Sequence, residues 1–146
     1  MYYYPYEKFV GDVKALVEKT ADYTPDTLVA IARGGWMLGH AFASATGNRR
    51  LMSVNSVLYE GENKGDAINV FNLPDLSGAK KVLILDDIVD SGETMQAVVE
   101  KLKAAYPEAE FRIASLYYKP TAAIQPDYAL REATEWIDFF WEKDFS

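Results

Sequence analysis

The chain has 146 residues and no cysteine, so it is predicted to form a single domain over residues 1–146, without disulfides or thiolate metal sites. Its 22 acidic and 15 basic residues give a net charge of -7, and no block of Lys and Arg stands out, which argues against a nucleic-acid binder. No apolar run approaches the length of a membrane span and the start lacks the pattern of a secretory signal, so a cytoplasmic protein without membrane segments is predicted.

The first half of the chain alternates helical and strand patterns. Apolar residues at helical spacing predict a helix from Tyr6 to Thr20, and an apolar run predicts a strand from Leu28 to Ala32. A buried helix is predicted from Trp36 to Thr46, followed by a strand from Leu51 to Leu58. The segment from Tyr59 to Asp66 is polar and aperiodic, and it is predicted to be a mobile loop.

The second half continues the alternation. The apolar run from Val82 to Leu85 predicts a strand buried on both faces, and a helix is predicted from Met95 to about Tyr106. A further strand is predicted from Phe111 to Tyr118, with a short one from Pro126 to Leu130, before the aperiodic aromatic tail of Glu135 to Trp141. Strands that alternate with helices predict an α/β fold with a mostly parallel central sheet.

Three polar segments follow predicted strands directly. They are Arg33-Gly34-Gly35, the acidic stretch from Asp86 to Thr94, and Lys119. In α/β sheets of this kind, ligands bind beyond the carboxyl ends of the strands. We therefore expect the three segments to face one crevice.

The acidic stretch combines an anion cradle with carboxylates. The turn from Asp90 to Thr94 offers hydroxyls, a glycine and free N–H groups at a helix N-terminus, which suits a phosphate. Asp86 and Asp87 suit sugar hydroxyls or Mg²⁺. A ligand that brings phosphate, sugar and Mg²⁺ together is favoured over phosphate alone. The alternative is a solvated capping turn, but capping does not require the paired carboxylates.

The stretch Val82 to Met95, VLILDDIVDSGETM, resembles the motif of the type I phosphoribosyltransferases that binds phosphoribosyl diphosphate (PRPP). The resemblance implies the type I fold, with helices flanking the sheet and a small hood from the C-terminal segment. It also implies that Arg33, Gly34 and Gly35 bind pyrophosphate, and raises the expectation of a cis peptide before Arg33. The implied phosphate- and ribose-binding residues are Asp86, Asp87, Asp90, Ser91, Gly92, Glu93 and Thr94, with Mg²⁺ at Asp86 and Asp87.

Later residues extend the resemblance to the bacterial xanthine-guanine phosphoribosyltransferases. Tyr118-Lys119-Pro120, Trp136-Ile137 and Trp141-Glu142 are similar to that family in order and spacing. By this resemblance Lys119 binds the purine O6, Trp136 stacks on the ring, the Ile137 backbone lies near the purine 2-position, and Glu142 helps to hold a second Mg²⁺. A lysine donor suits a 6-oxo group and not the amino group of adenine.

The implied function is transfer of phosphoribose from PRPP to guanine, xanthine or hypoxanthine. Asp90 is the predicted general base, and it would accept the proton of the purine ring N–H. The resemblance implies a homodimer or homotetramer whose other partners are small-molecule substrates. The ranking of guanine, xanthine and hypoxanthine as substrates stays open, because the chain ends at Ser146 and the implied hood is short.

Several alternatives remain at this stage. Two other interpretations of the whole chain are a regulator that binds PRPP or a nucleotide, and a phosphoribosyltransferase for another base. Two residues also have a purely structural interpretation: Lys119 as a surface residue at a strand end, and Trp136 as a core residue. His40, alone on a predicted buried helix, is interpreted as a structural histidine with satisfied hydrogen bonds.

Overall fold

The structure is a computed structural model that describes residues 1–59 and 67–146. Its strands are β1 (Tyr2–Tyr4), β2 (Thr27–Ala32), β3 (Leu51–Tyr59), β4 (Ala67–Phe71), β5 (Lys81–Val89), β6 (Glu110–Tyr118), β7 (Tyr128–Glu132) and β8 (Ile137–Phe139). Its helices are α1 (Tyr6–Lys19), α2 (Trp36–Thr46), α3 (Glu93–Ala105) and α4 (Phe140–Lys143).

The larger sheet has the strand order β4-β3-β2-β5-β6-β7. Every neighbouring pair is parallel except β3 with β4, which confirms the prediction of a mostly parallel α/β sheet. The central strands β2 and β5 are buried on both faces, because α1 and α2 cover one face and α3 covers the other. Along β5, for example, Leu83 and Leu85 pack toward α1 and α2, whereas Val82 and Ile84 pack toward α3.

A second, two-stranded sheet joins the two ends of the chain. In it β1 runs parallel to β8, with Tyr2 opposite Ile137 and Tyr4 opposite Phe139. We call β1, β8 and α4 together the hood. The hood was predicted from the C-terminal segment alone, and the contribution of β1 was not anticipated. Three-residue strands are too short for a visible alternation of apolar and polar residues.

The structure corrects two predictions near functional positions. The central strand extends to Val89, so Asp86 and Asp87 lie inside β5 instead of following the strand, and Asp86 is paired with Ser115 of β6. The interpretation of His40 as a buried structural residue is wrong, because α2 buries only one side and His40 lies on the exposed side.

Other differences concern element boundaries. β7 begins and ends two residues later than the predicted strand from Pro126 to Leu130, and β4 was not predicted. The predicted mobile loop begins at Tyr59, which is the last residue of β3, and the rest of that segment lies outside the described residues. Across the described ranges, no helix is long and apolar enough to cross a membrane.

Candidate active site

The carboxyl end of β5, the turn after β6 and the hood enclose a cavity of about 400 Å³. The parallel arrangement of β5 and β6 is the reason these segments meet, since their carboxyl ends lie at the same edge of the sheet. We call this cavity the purine-site cavity, after the ligand that the resemblance implies. It brings together six residues that were predicted from separate parts of the sequence: Asp87, Asp90, Lys119, Trp136, Ile137 and Glu142.

A smaller cavity of about 120 Å³ lies at the start of α3 and is lined by Asp86, Asp90, Ser91, Gly92 and Thr94, among others. Helix α3 has no side-chain cap. Within the described part of the chain, the backbone N–H groups of Gly92, Thr94 and Met95 donate to no acceptor. These donors, at the positive end of the helix dipole, form a cradle for an anion such as a phosphate.

The conformation of the cradle depends on Gly92. Its φ of 83° lies in the left-handed region, and a Cβ there would lie 2.8 Å from the backbone nitrogen of Ala123. The Ala123 N–H donates to the carbonyl of Ser91 over 2.7 Å, which ties the cradle to the turn after β6. Glu93 contributes its backbone N–H, bonded to Ser91 Oγ at 3.2 Å, but its side chain lines neither cavity.

Asp86 and Asp87 form a carboxylate pair near the end of β5, in which Asp87 is buried and Asp86 is partly buried. Burial and the neighbouring Asp87 carboxylate hold the pKa of Asp86 well above its usual range, and burial also raises the pKa of Asp87. Among the described residues, no Lys or Arg forms an ion pair with either carboxylate. The indole N–H of Trp141, which is buried without a well-formed hydrogen bond, acts in the opposite direction and lowers the pKa of Asp87.

This pair fits a bound divalent cation. Mg²⁺ is usually held by one or two carboxylates together with water and substrate oxygens, and not by a complete cage of protein ligands. Residues 1–59 and 67–146 contain no cluster of three His, Cys, Asp or Glu side chains that could hold a metal ion. Glu142, the third predicted metal ligand, faces Asp87 across the purine-site cavity.

The segment Arg33-Gly34-Gly35 packs directly against the carboxylate pair. The Ala32–Arg33 peptide is cis, as expected. A Cβ at Gly34 would lie 2.8 Å from Asp87 Oδ2, and one at Gly35 would lie 2.5 Å from the carbonyl oxygen of Leu85. Only glycine therefore allows this approach. The Arg33 side chain is 86% exposed and forms an ion pair of 3.6 Å with Glu142.

Lys119 and Asp90 are paired across the mouth of the purine-site cavity, with 2.9 Å between Lys119 Nζ and Asp90 Oδ1. The ion pair places Lys119 at the mouth of the cavity, and with 43% exposure its side chain is still compatible with the alternative of a surface residue at a strand end. Its backbone N–H donates to the carbonyl of Val89, which fixes the start of the turn beside β5. The purine O6 is predicted to bind Lys119 and the ring N–H to bind Asp90, whereas in the structure these two side chains bind each other.

Trp136 forms an exposed wall of the same cavity. It is 71% exposed, so the alternative that it belongs to the core is wrong. Its indole N–H donates to Asp138 Oδ1 over 3.0 Å. Asp138 also lines the cavity and was missed in the sequence, because an acidic residue in an aromatic tail has no pattern that marks it as part of a site.

The comparisons with known proteins agree with this geometry. Residues 4–145 match the family model described as the phosphoribosyl transferase domain. The chain belongs to the phosphoribosyltransferase family. The particular proteins it is similar to include the xanthine-guanine phosphoribosyltransferase of Chromohalobacter salexigens, at 34% identity over 133 residues, which cover 90% of this chain and 77% of the relative.

Solved structures give the same family. The xanthine-guanine-hypoxanthine phosphoribosyltransferase of Helicobacter pylori is similar with a TM-score of 0.93 and 35% identity, over 99% of this chain and 95% of that one. A purine phosphoribosyltransferase of Pyrococcus horikoshii is similar with a TM-score of 0.84 and 28% identity, over 97% and 93% of the two chains.

Proposed function

We propose that this protein is a cytoplasmic purine salvage enzyme. It transfers the phosphoribosyl group of PRPP to guanine, xanthine or hypoxanthine, and the products are a nucleoside 5′-monophosphate and pyrophosphate. The observation that carries the proposal is the placement of the anion cradle beside the Lys119–Asp90 pair and the exposed Trp136, at one edge of the sheet. This arrangement suits a phosphorylated sugar and a flat base that react with each other.

The base is held by three groups in this proposal. The ring stacks on Trp136, the O6 accepts a hydrogen bond from the Lys119 ammonium, and the ring N–H donates to Asp90. Binding of the base thus separates the 2.9 Å ion pair, and each partner gains a hydrogen bond to the purine instead. Asp90 then accepts the ring proton as the general base, and the nitrogen that attacks the ribose becomes more electron-rich.

The sugar side of the reaction is a bond cleavage at the ribose C1. The cradle from Asp90 to Thr94 holds the 5′-phosphate through its free N–H groups. As the bond to pyrophosphate breaks, positive charge develops on the ribose and negative charge on the leaving group. Arg33 and the N–H groups of its loop offset the charge on pyrophosphate. Asp86 and Asp87 would hold one Mg²⁺ and Glu142 would help to hold a second, and bound Mg²⁺ would supply further positive charge to the oxygens of the leaving pyrophosphate.

The deciding experiment measures turnover with a panel of bases. The protein is incubated with PRPP and Mg²⁺ and with guanine, xanthine, hypoxanthine, adenine or uracil, and both nucleotide and pyrophosphate are quantified. We expect turnover of the 6-oxopurines only, and its loss when EDTA removes the metal. PRPP binding without turnover of any base would favour the regulator, whereas turnover of adenine or uracil alone would favour an enzyme for another base.

We also infer a homodimer or homotetramer. Tyr6 on α1 is 59% exposed and Trp36 on α2 is 43% exposed, and the groove between these helices is lined mostly by apolar side chains. Exposed apolar surface of this kind marks protein interfaces. Light scattering coupled to gel filtration checks this inference, and a monomer at micromolar concentration would contradict it.

A further inference from the structure

We propose that Asp138 determines which 6-oxopurine this site prefers: it anchors the stacking residue Trp136 and selects against bases that carry negative charge, above all the anion of xanthine. The inference rests on the proposed function, since it concerns the base that occupies the purine-site cavity. It has two independent supports, one geometric and one electrostatic.

The geometric support is the attachment of the Trp136 indole. Trp136 lies one residue before β8 and Asp138 lies within it, and a hydrogen bond brings their side chains together on the same side of the hood. The indole stacks on no other aromatic ring among the described residues. Among the described residues, the only hydrogen bond of the indole is the 3.0 Å bond to Asp138 Oδ1. Asp138 therefore holds the ring that the base stacks on.

The electrostatic support is the charge around the cavity. Five carboxylates line it, from Asp87, Asp90, Glu135, Asp138 and Glu142, against the single ammonium group of Lys119. Asp90 is paired with Lys119, and Glu142 with Arg33. Glu135 is also paired with a cationic group, and Asp87 belongs to the pair that fits a divalent cation. Within the described residues Asp138 has no cation within 4 Å, so its charge acts on whatever base binds beside it.

The three candidate bases differ where this charge matters. Guanine carries an amino donor at C2, hypoxanthine a hydrogen, and xanthine a second carbonyl oxygen. Xanthine loses a proton near neutral pH, whereas guanine and hypoxanthine stay neutral there. A nearby carboxylate attracts an amino donor and repels both a carbonyl oxygen and an anion, and in a partly enclosed cavity water screens this repulsion only in part. Asp138 thus disfavours xanthine relative to hypoxanthine.

The test separates the anchoring role from the charge. Asp138→Asn keeps an oxygen that accepts from the Trp136 indole but removes the charge. We expect it to raise the ratio of kcat/KM for xanthine to that for hypoxanthine about tenfold at pH 8, where xanthine is ionised, and less at pH 6. Asp138→Ala also removes the acceptor, so relative to Asp138→Asn we expect it to raise KM for all three bases, while the KM for PRPP stays near the wild-type value.

The matched control is Asp144→Asn, which neutralises a carboxylate in the same segment. Asp144 accepts from the Tyr3 hydroxyl at 2.9 Å and does not line the cavity, so the ratio should not change. An unchanged ratio in Asp138→Asn, or an equal change in Asp144→Asn, overturns the charge argument. KM values for the bases that are the same in Asp138→Ala as in Asp138→Asn overturn the anchoring argument. If the wild-type protein turns over no 6-oxopurine, the proposed function itself has failed, which is a distinct result.

Discussion

Asp90 and Lys119 form an ion pair with each other, although the proposed reaction assigns them to different atoms of the purine. Their 2.9 Å contact is about half exposed, and exposed ion pairs of this kind contribute little to stability. Separating them therefore costs little, and each group gains a charge-assisted bond to the base. Substitution at either position is expected to impair the reaction without unfolding the protein.

Replacing Asp90 by Asn should lower kcat roughly 100-fold or more, as for loss of a general base. The dissociation constant of PRPP should change little, because the cradle binds phosphate through backbone N–H groups of neighbouring residues. Steady-state kinetics and calorimetric titration with PRPP measure the two quantities. Near-normal turnover would remove Asp90 as the general base.

Replacing Lys119 by Ala should lower kcat/KM for guanine about 10- to 100-fold, the range expected for loss of a hydrogen bond to a charged group. PRPP binding should stay close to wild type. Lys103→Ala, which removes an exposed lysine from the last turn of α3, is the control for the loss of one positive charge. Unchanged guanine kinetics in Lys119→Ala would show that the base lies elsewhere.

At the scale of elements, the loop between β2 and α2 approaches β5 so closely that side chains are excluded. The obstacles at its two glycines differ in kind. A Cβ at Gly35 would meet backbone atoms of Leu85, Asp86 and Ile31, whereas the three atoms nearest to a Cβ at Gly34 all belong to the Asp87 carboxylate. Backbone cannot yield as a side chain can, so the two substitutions should have different consequences.

We expect Gly35→Ala to lower the free energy of unfolding by about 1 to 3 kcal/mol, as overpacking does. Gly34→Ala should cost less stability but weaken PRPP binding, because the Asp87 carboxylate must move. Gly11→Ala, in the middle of α1 with nothing within 4 Å, is the control and should raise stability by about 0.5 to 1 kcal/mol. Urea denaturation measures the free energy of unfolding of the three variants. Equal losses of stability in Gly34→Ala and Gly35→Ala would contradict the expected difference between a backbone obstacle and a side-chain obstacle.

At the scale of the whole molecule, one buried carboxylate joins the hood to the main sheet. Asp12 on α1 accepts from the hydroxyl of Tyr4 in β1 at 2.5 Å, and it accepts twice from Arg131 of β7, at 2.7 and 3.0 Å. Burial by itself raises the pKa of Asp12, but hydrogen bonds from Arg131 and Tyr4 outweigh it and hold the pKa below the usual 3.8. The charged form is therefore the one that stabilises the fold.

Asp12→Asn should lower the free energy of unfolding by about 1 to 3 kcal/mol at pH 7, since it replaces a charged acceptor in a buried network. Because the folded pKa is depressed, this stabilisation is fully present above pH 3.8 and is lost as the pH falls through the lower folded value. Denaturation of both proteins between pH 7 and pH 2 should show the difference shrinking only in acid. A difference independent of pH would contradict the role of the charge.

Much of the fold and most candidate site residues could be predicted from the sequence. The apolar runs of β2 and β5 have no polar face, which predicts a parallel sheet covered on both sides. The acidic motif at the end of β5 is specific enough to indicate PRPP. The boundary of β5 was misplaced because acidic residues within a strand interrupt its apolar pattern, although backbone pairing with β6 continues through Asp86 and Ile88.

The sequence by itself predicted the kind of ligand, because the order of residue types along one strand and turn is typical of a cradle for phosphate, sugar and metal. Only the tertiary structure decided which groups meet. Three contacts illustrate this: the pairing of β1 with β8 in the hood, and in the purine-site cavity the Lys119–Asp90 ion pair and the bond from Trp136 to Asp138. The first two join residues far apart in the chain, and the third depends on how an indole is oriented, which no local pattern records.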